Sequence, residues 1–591
     1  MAVHRYNMGI VGNCSYLGYI DMAANVAWLC LPRFDSSFIF GSLLDDKKGG
    51  EFSITPVGEY TSRQYYIPNT NVLCTEFQCP GGKFRVVDCA PRFMQYERFF
   101  RPLMLVRKIE VLEGHAEVRV RCRPMGAYGT MKPETVPGSN HLRFMNFDMQ
   151  ARLTTNISLS YIMEEQPFVV DQNYYLAFTY GEPLEAPLKP TCEDFINKTV
   201  RHWQTWIKST YVPDIYQDEI IRSALVLKLH QYEDTGGIIA SGTTSLPEHN
   251  GSARTWDYRY CWFRDSYYTL KAFNEMGHFD ELESYFEYIQ NILMRDLDRM
   301  QPLYSITGQK ELEEIHVDLQ GYLGNQPVRV GNKAYQQIQN DVYGQVLVGL
   351  LPLFVDRRLT FSRKSAYKPL VKRLLDWIER TMDEPDAGLW EFRNITQVHT
   401  YTLLFHWAGC KSAIKIGSIM TDGELVQRAT ALEKMAIERI EKCYDPQRGV
   451  YTQAMGTEYL DASTLKMITM GYLDPASEKA KQHLRALEEL LKTEQGLFYR
   501  YVNADDFGKP ESTFLVCAFW YVDALACVGR IDDALKTLDG ILPFANHLGI
   551  FSEDVGLDGS QWGNYPQTYS HVGLINAAFR ISKKLDMPTF R

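Results

Sequence analysis

Carboxylates set among aromatic rings are the residues of this 591-residue chain whose types and spacing could do chemistry. Four stretches concentrate them: SLPEHNGSARTWDYRYCWFRDS, GYLGNQPVRVGNKAYQQIQNDVYG, EPDAGLWEFR and GIFSEDVGLDGSQWGNYPQTYSH. Each sets Asp or Glu beside residues drawn from Trp, Tyr, Asn, Arg and Gly. Polyol recognition uses that mixture. Carboxylates and guanidinium groups bind adjacent hydroxyls in pairs, and rings lie on the apolar face of a sugar. Cleaving a glycosidic bond usually takes two carboxyl groups, one protonated to serve the leaving oxygen and one ionised to activate water or to attack. Glu391, between Trp390 and Phe392, suits the acid, because desolvation raises a carboxyl pKa. Glu553, in the more polar FSEDV, suits the base. On spacing alone, either could instead be a helix N-cap or a surface ion pair.

Other chemistries lack their motifs. The chain has no GxxxxGK[ST] loop, no GxGxxG after a strand, no HExxH and no GxSxG elbow. Its 13 His are scattered and its 12 Cys include no CxxC pair, so no metal and no organic cofactor are expected. The cysteines sit among apolar neighbours and read as reduced, buried thiols. A net charge of −10 argues against nucleic acid or an anionic membrane as partner. No apolar run approaches the ~20 residues of a membrane span. No signal-peptide pattern opens the chain, so a cytoplasmic location is expected.

The elements that must position these loops fall into two groups. Over residues 1–185 the pattern is β: HAEVRVRCRP alternates, and KFRVVDCA, NHLRFMNFDMQARL and QNYYLAFTYG are further strand-like runs. Many short strands without a helical period suggest a β-sandwich. Residues 186–215 combine a Pro-rich linker with a helix. From 216 to 591 the period is helical, with about twelve segments joined by long polar loops, which suits an (α/α)6 barrel.

With these pieces assembled, the chain resembles glycoside hydrolase family 15, the glucoamylase-like inverting α-glucosidases, over nearly its whole length. The resemblance rests on an ordered set: GYIDMAANVAWLCLPRFDSS, TTSLPE, RTWDYRYCWFRD, PVRVGNKAYQQIQNDVYG, GLWEFR, GLFYRY, LVCAFWYVDAL and WGNYPQTYSHVGLINAA. It implies the same sandwich, linker and barrel. It also implies Glu391 as general acid and Glu553 as general base, with no metal. Arg264 and Asp265 match the pair that holds the terminal glucose, while Trp256, Asp257 and Trp390 match pocket wall. Arg500 matches an arginine gripping hydroxyls, and Arg33 and Asp35 match an N-terminal loop reaching the barrel mouth. Tyr401-Thr402, Asp506-Phe507 and Glu511-Ser512 depart from the family pattern near the expected leaving-group side.

Bland readings stand beside these. Arg264 and Asp265 could cap a helix, and Asp257 with Arg259 could brace the loop. One of Trp256 and Trp262 is expected in the core. Asn332, Gln336 and Gln339 read as barrel-lining hydrogen-bond partners, and His571 as structural. The leading expectation is an exo-acting hydrolase releasing β-glucose from α-glucans or oligosaccharides. The alternatives are an α,α-trehalase or α-1,6-glucosidase on the same fold, an inverting phosphorylase, and a non-catalytic glycan-binding or regulatory protein.

Overall fold

The alternating run Glu117–Arg123 forms a strand with Val118 and Val120 buried between more exposed neighbours, because successive strand side chains point to opposite faces. It pairs with Glu51–Pro56 in a three-stranded sheet. The other strand-like runs, at Gly82–Cys89, His141–Phe144, Ala151–Thr155 and Tyr174–Tyr180, all lie in one eight-stranded antiparallel sheet. Four strands within residues 8–40 make a further sheet. A core that includes Phe40, Phe52, Leu105 and Phe178 fills the space between these sheets. This is the expected β-sandwich. The computed structural model describes residues 3–295, 299–359 and 367–585, so 1–2 of the first expected region and 296–298, 360–366 and 586–591 of the last lie outside the described residues.

The last sandwich strand ends at Tyr180, and helix Leu188–Lys208 follows. Its Cys192 and Ile196 pack on the sandwich, with Val106 and Tyr175, while Trp203 and Ile207 join the core of the helical region. One helix therefore seats the two halves on each other.

Among the described residues, six helical segments contact one another in a closed ring. They are Phe263–Met276, Asp341–Val355, Thr400–Ile419, Lys466–Thr469 with the 3-10 turn before it, Leu515–Cys527 and Thr568–Lys584. Most of their residues are buried on all sides. Outside them lie Gln217–Leu229, Phe279–Arg295, Lys368–Thr381, Gly423–Ile440, Glu478–Leu491 and Ile531–Ile541. The outer helices from Lys368 onward each bury one stripe, as amphipathic surface helices do. Gln217–Leu229 differs, because the sandwich covers it: Cys14 Sγ donates to Lys228 O, and Arg222 reaches Thr70 O at 2.9 Å. The barrel is therefore (α/α)6.

All twelve cysteines are unpaired and eleven are buried. No helix among the described residues is long and apolar enough to cross a membrane.

Candidate active site

Loops at one end of the inner ring enclose a pocket that contains Glu391 and Glu553. Stretch 254–266 supplies six of the residues that line it, carried on and between three elements. Thr255–Asp257 pairs with Thr244–Pro247, Cys261–Trp262 pairs with Leu303–Tyr304, and helix Phe263–Met276 starts at the next residue. That geometry aims alternate side chains at the carboxylates.

Glu391 sits on a tight turn in which its N–H bonds Gly388 O. Its φ is +60°, a left-handed conformation that costs a non-glycine residue of order 1–3 kcal/mol. The turn needs Gly388: a Cβ there, at φ +68°, would lie 2.6 Å from the His399 ring. Glu391 Oε1 accepts from Trp262 Nε1 at 2.6 Å, Arg264 Nη2 at 3.2 Å and Gln339 Nε2 at 3.3 Å. Those donors hold one oxygen, and the side chain keeps 23% exposure.

Glu553 lies just before strand Asp554–Val555, which pairs with Thr513–Phe514 and Gln561–Trp562. Gly563 is required beside it, since a Cβ at that position would fall 2.6 Å from Glu553 Cβ. The N-terminal segment secures the loop: Tyr6 Oη donates to Gly563 O at 2.9 Å, and Gln561 N–H donates to His4 O at 3.0 Å. Glu553 accepts from Tyr258 Oη at 2.7 Å and from Asn564 N–H at 3.0 Å. Only 2% of the residue is exposed. Burial, and then Glu248, push its carboxyl up to about 8, against those hydrogen bonds and Arg500. Asp554 is raised for the same two leading reasons. The carboxylates of Glu248, Glu553 and Asp554 lie within 4.8 Å of one another, and Asp554 Oδ2 has no hydrogen-bond partner among the described residues. Two arginines offset this charge: Arg500 Nη2 bonds Glu248 Oε2 at 2.5 Å, and Arg254 Nη2 bonds Asp505 Oδ1 at 2.5 Å with its Nε 3.8 Å from Glu248.

The environments of the two candidates are thus the reverse of what their sequence neighbours suggest. Glu391, flanked by rings in the chain, is partly exposed and held by N–H donors. Glu553, flanked by polar residues, is the desolvated one. The cause is tertiary: the residues that desolvate or bond each carboxyl arrive from other loops.

The remaining candidates divide. Arg264, Asp265, Trp256, Trp390 and Arg500 line the pocket. Arg264 and Asp265 occupy the first turn of their helix with Nε and Oδ2 3.4 Å apart, and burial raises the Asp265 carboxyl to about 6. Trp390 Nε1 donates to Asp461 Oδ2 at 2.6 Å. Asp257 does not line the pocket. Its carboxylate is fully buried, binding Arg259 at 2.9 and 2.7 Å and accepting from Gly331 N–H. Arg259 continues to Ser36 O and Tyr128 Oη of the sandwich, so the pair braces the loop between domains. Arg33 and Asp35 also lie outside the pocket lining and pair with each other at 3.0 Å.

Of the pattern departures, Asp506 and Phe507 line the pocket. Tyr401 and Thr402 do not: they bond Tyr268 and Asp386 inside the barrel. Glu511 and Ser512 do not line it either. Gln339 is a partner of Glu391, Asn332 donates to Asp257 O, and His571 bonds Ser223 and Phe551 N–H in the core. Residues that sequence reasoning did not name as site members include Glu248, Tyr258, Trp262 and Asp554. Each stood inside a motif already noticed, and alternation along 254–262 could have placed Trp256, Tyr258 and Trp262 on one side.

Residues 214–579 match the family described as Glycosyl hydrolases family 15, and residues 2–155 match the description Trehalase-like, N-terminal. The Trehalase of Thermoplasma volcanium is 30% identical over 98% of this chain and 93% of its own length. The Trehalase of Mycolicibacterium smegmatis is 29% identical over 97% of this chain and 90% of its own length. A solved bacterial glucoamylase complexed with acarbose shares the fold at a TM-score of 0.71, with 16% identity over 99% of this chain and 95% of its own.

Proposed function

The chain belongs to glycosyl hydrolases family 15, and on that premise we propose that it hydrolyses α,α-trehalose with inversion, Glu391 serving as general acid and Glu553 as general base. The observation that carries the reading is that one stretch delivers a donor to each carboxylate across a single pocket, Trp262 to Glu391 and Tyr258 to Glu553. Trehalose is preferred to an α-glucan because relatives named Trehalase align along both domains, in place of the glucan reading favoured from sequence.

In the reaction, Glu391 gives its proton to the bridging oxygen as the C1–O bond breaks. Glu553 takes a proton from water as the new C1–O bond forms on the opposite face. One glucose leaves in the β form and the other in the α form, and solvent returns the proton from Glu553 to Glu391. Oε1 of Glu391 is already engaged by N–H groups, so the transferable proton resides on Oε2. Arg264, Asp265 and Arg500, which line the pocket, bind hydroxyls in this reading, with Trp390 as a ring surface. This chemistry uses no metal or organic cofactor.

Proton NMR of the first-formed sugars tests the stereochemistry: equal α- and β-glucose support inversion, and α-glucose alone refutes it. A second reading exchanges the two carboxyls, and the raised carboxyl of buried Glu553 favours it. α-Glucosyl fluoride separates them, because fluoride leaves without protonation. Under the main reading, Glu391→Gln abolishes trehalose turnover but spares the fluoride, while Glu553→Gln loses both. The opposite pattern installs the exchanged roles.

A further inference from the structure

Three loops meet across the pocket mouth. Arg393, two residues beyond Glu391, lays its guanidinium 4.4 Å from the Trp256 ring and 5.9 Å from that of Phe507. Trp256 and Phe507 meet edge to face, with centroids 5.4 Å apart. The contact is pinned from both sides. Asp506 Oδ2 accepts the backbone N–H groups of Arg393 at 2.5 Å and Asn394 at 3.2 Å. Arg254 holds Asp505 and bonds Gly508 O at 3.1 Å. Glu314 bridges Arg393 and Arg329 at 3.2 and 3.3 Å, and Arg329 lies 4.5 Å from the Trp256 ring.

We propose that Arg393, Trp256 and Phe507 form a strap that limits the pocket to a two-sugar substrate. Arg393 follows Glu391 by two residues, a stretch of backbone of at most about 7 Å, so the loop that carries the acid also carries the strap. Trp256 also reaches the carboxyl cluster, its Nε1 lying 3.4 Å from Glu248. One sugar on the leaving side of the cleaved bond fits inside, and a second meets the strap. Opening it means breaking the Asp506 bonds to the loop that carries Glu391, which disturbs the acid. A flexible loop would yield to longer chains; a loop tied to the catalytic turn does not.

The inference rests on the proposed catalytic pair but not on the linkage. The test takes whichever disaccharide the protein cleaves, trehalose or maltose, and pairs it with its one-glucose extension at the leaving sugar. For the native protein kcat/KM falls sharply on extension. Phe507→Ala and Arg393→Ala raise the ratio of extended to parent substrate by about tenfold or more. Equal kcat/KM for the two lengths in the native protein overturns the strap. So does a variant ratio that stays put or falls, which would make Phe507 a stacking platform for the extra sugar. If maltose is cleaved and trehalose is not, the linkage reading fails while the ratio still decides the strap. If neither disaccharide is cleaved, both fail.

Discussion

Replacing Glu248 by Gln removes one negative charge from beside Glu553 and keeps the side chain's size. The carboxylates of the two residues lie within 4.8 Å, and both are nearly fully buried, at 3% and 2% exposure. Unit charges at that distance interact by about 0.9 kcal/mol in water and about 3.5 kcal/mol at an effective dielectric of about 20. At about 1.36 kcal/mol per pH unit, the Glu553 carboxyl falls by roughly 0.6 to 2.5 units, with about 1.5 at the middle of that range. The sign follows from the role. A base works when ionised, so kcat/KM climbs as pH rises through its pKa. Burial and Glu248 hold that pKa up at about 8, and losing Glu248 carries the acidic limb to lower pH. At pH 6 a shift of that size raises the ionised fraction about 20-fold. The assay is kcat/KM for trehalose against pH, which reports the free enzyme, and its readout is the limb's position, because Glu248 also holds Arg500 and the height can change. The limb belongs to Glu553 and Asp554 as a coupled pair. Two results refute the reasoning. If neither limb moves, the buried charge is not felt at a catalytic group. If the alkaline limb moves instead, Glu553 is the acid.

Tyr258→Phe has the opposite sign: it deletes a hydrogen bond that holds the Glu553 carboxyl down, and the acidic limb moves up by about 0.5 to 1 unit in the same titration. Trp262→Phe removes the 2.6 Å donor to Glu391; kcat drops roughly tenfold with little change in KM, measured by steady-state kinetics. Asp257→Ala strands the fully buried Arg259 and lowers unfolding free energy by about 3–5 kcal/mol in urea titration. Arg33→Ala leaves kcat/KM for trehalose within about twofold, since its partner Asp35 and not the pocket holds it.

Local patterns in the chain separated a strand-rich half from a helical half, and the ordered family motifs added the barrel. Period-two alternation at 117–123 and helical period after 216 depend only on which face of an element must be buried, and that is written in consecutive residues. That Glu391 and Glu553 face one pocket was legible from motifs that stand in order along the chain. Asp257 shows the limit: it sits between two pocket-facing residues, yet Arg259 two positions on captures it. What tertiary structure alone decided was the electrostatic character of the two carboxyls. Glu391 has aromatic sequence neighbours, but Trp262, Arg264 and Gln339 bring it N–H groups from other loops. Glu553 has polar sequence neighbours, but the sandwich-bound loop buries it against Glu248, some 300 residues away in the chain. A carboxyl responds to dielectric and charge within a few ångströms, and a folded chain fills that radius with distant residues. The sequence marked which carboxyls to look for; only the fold decided the neighbours each would meet.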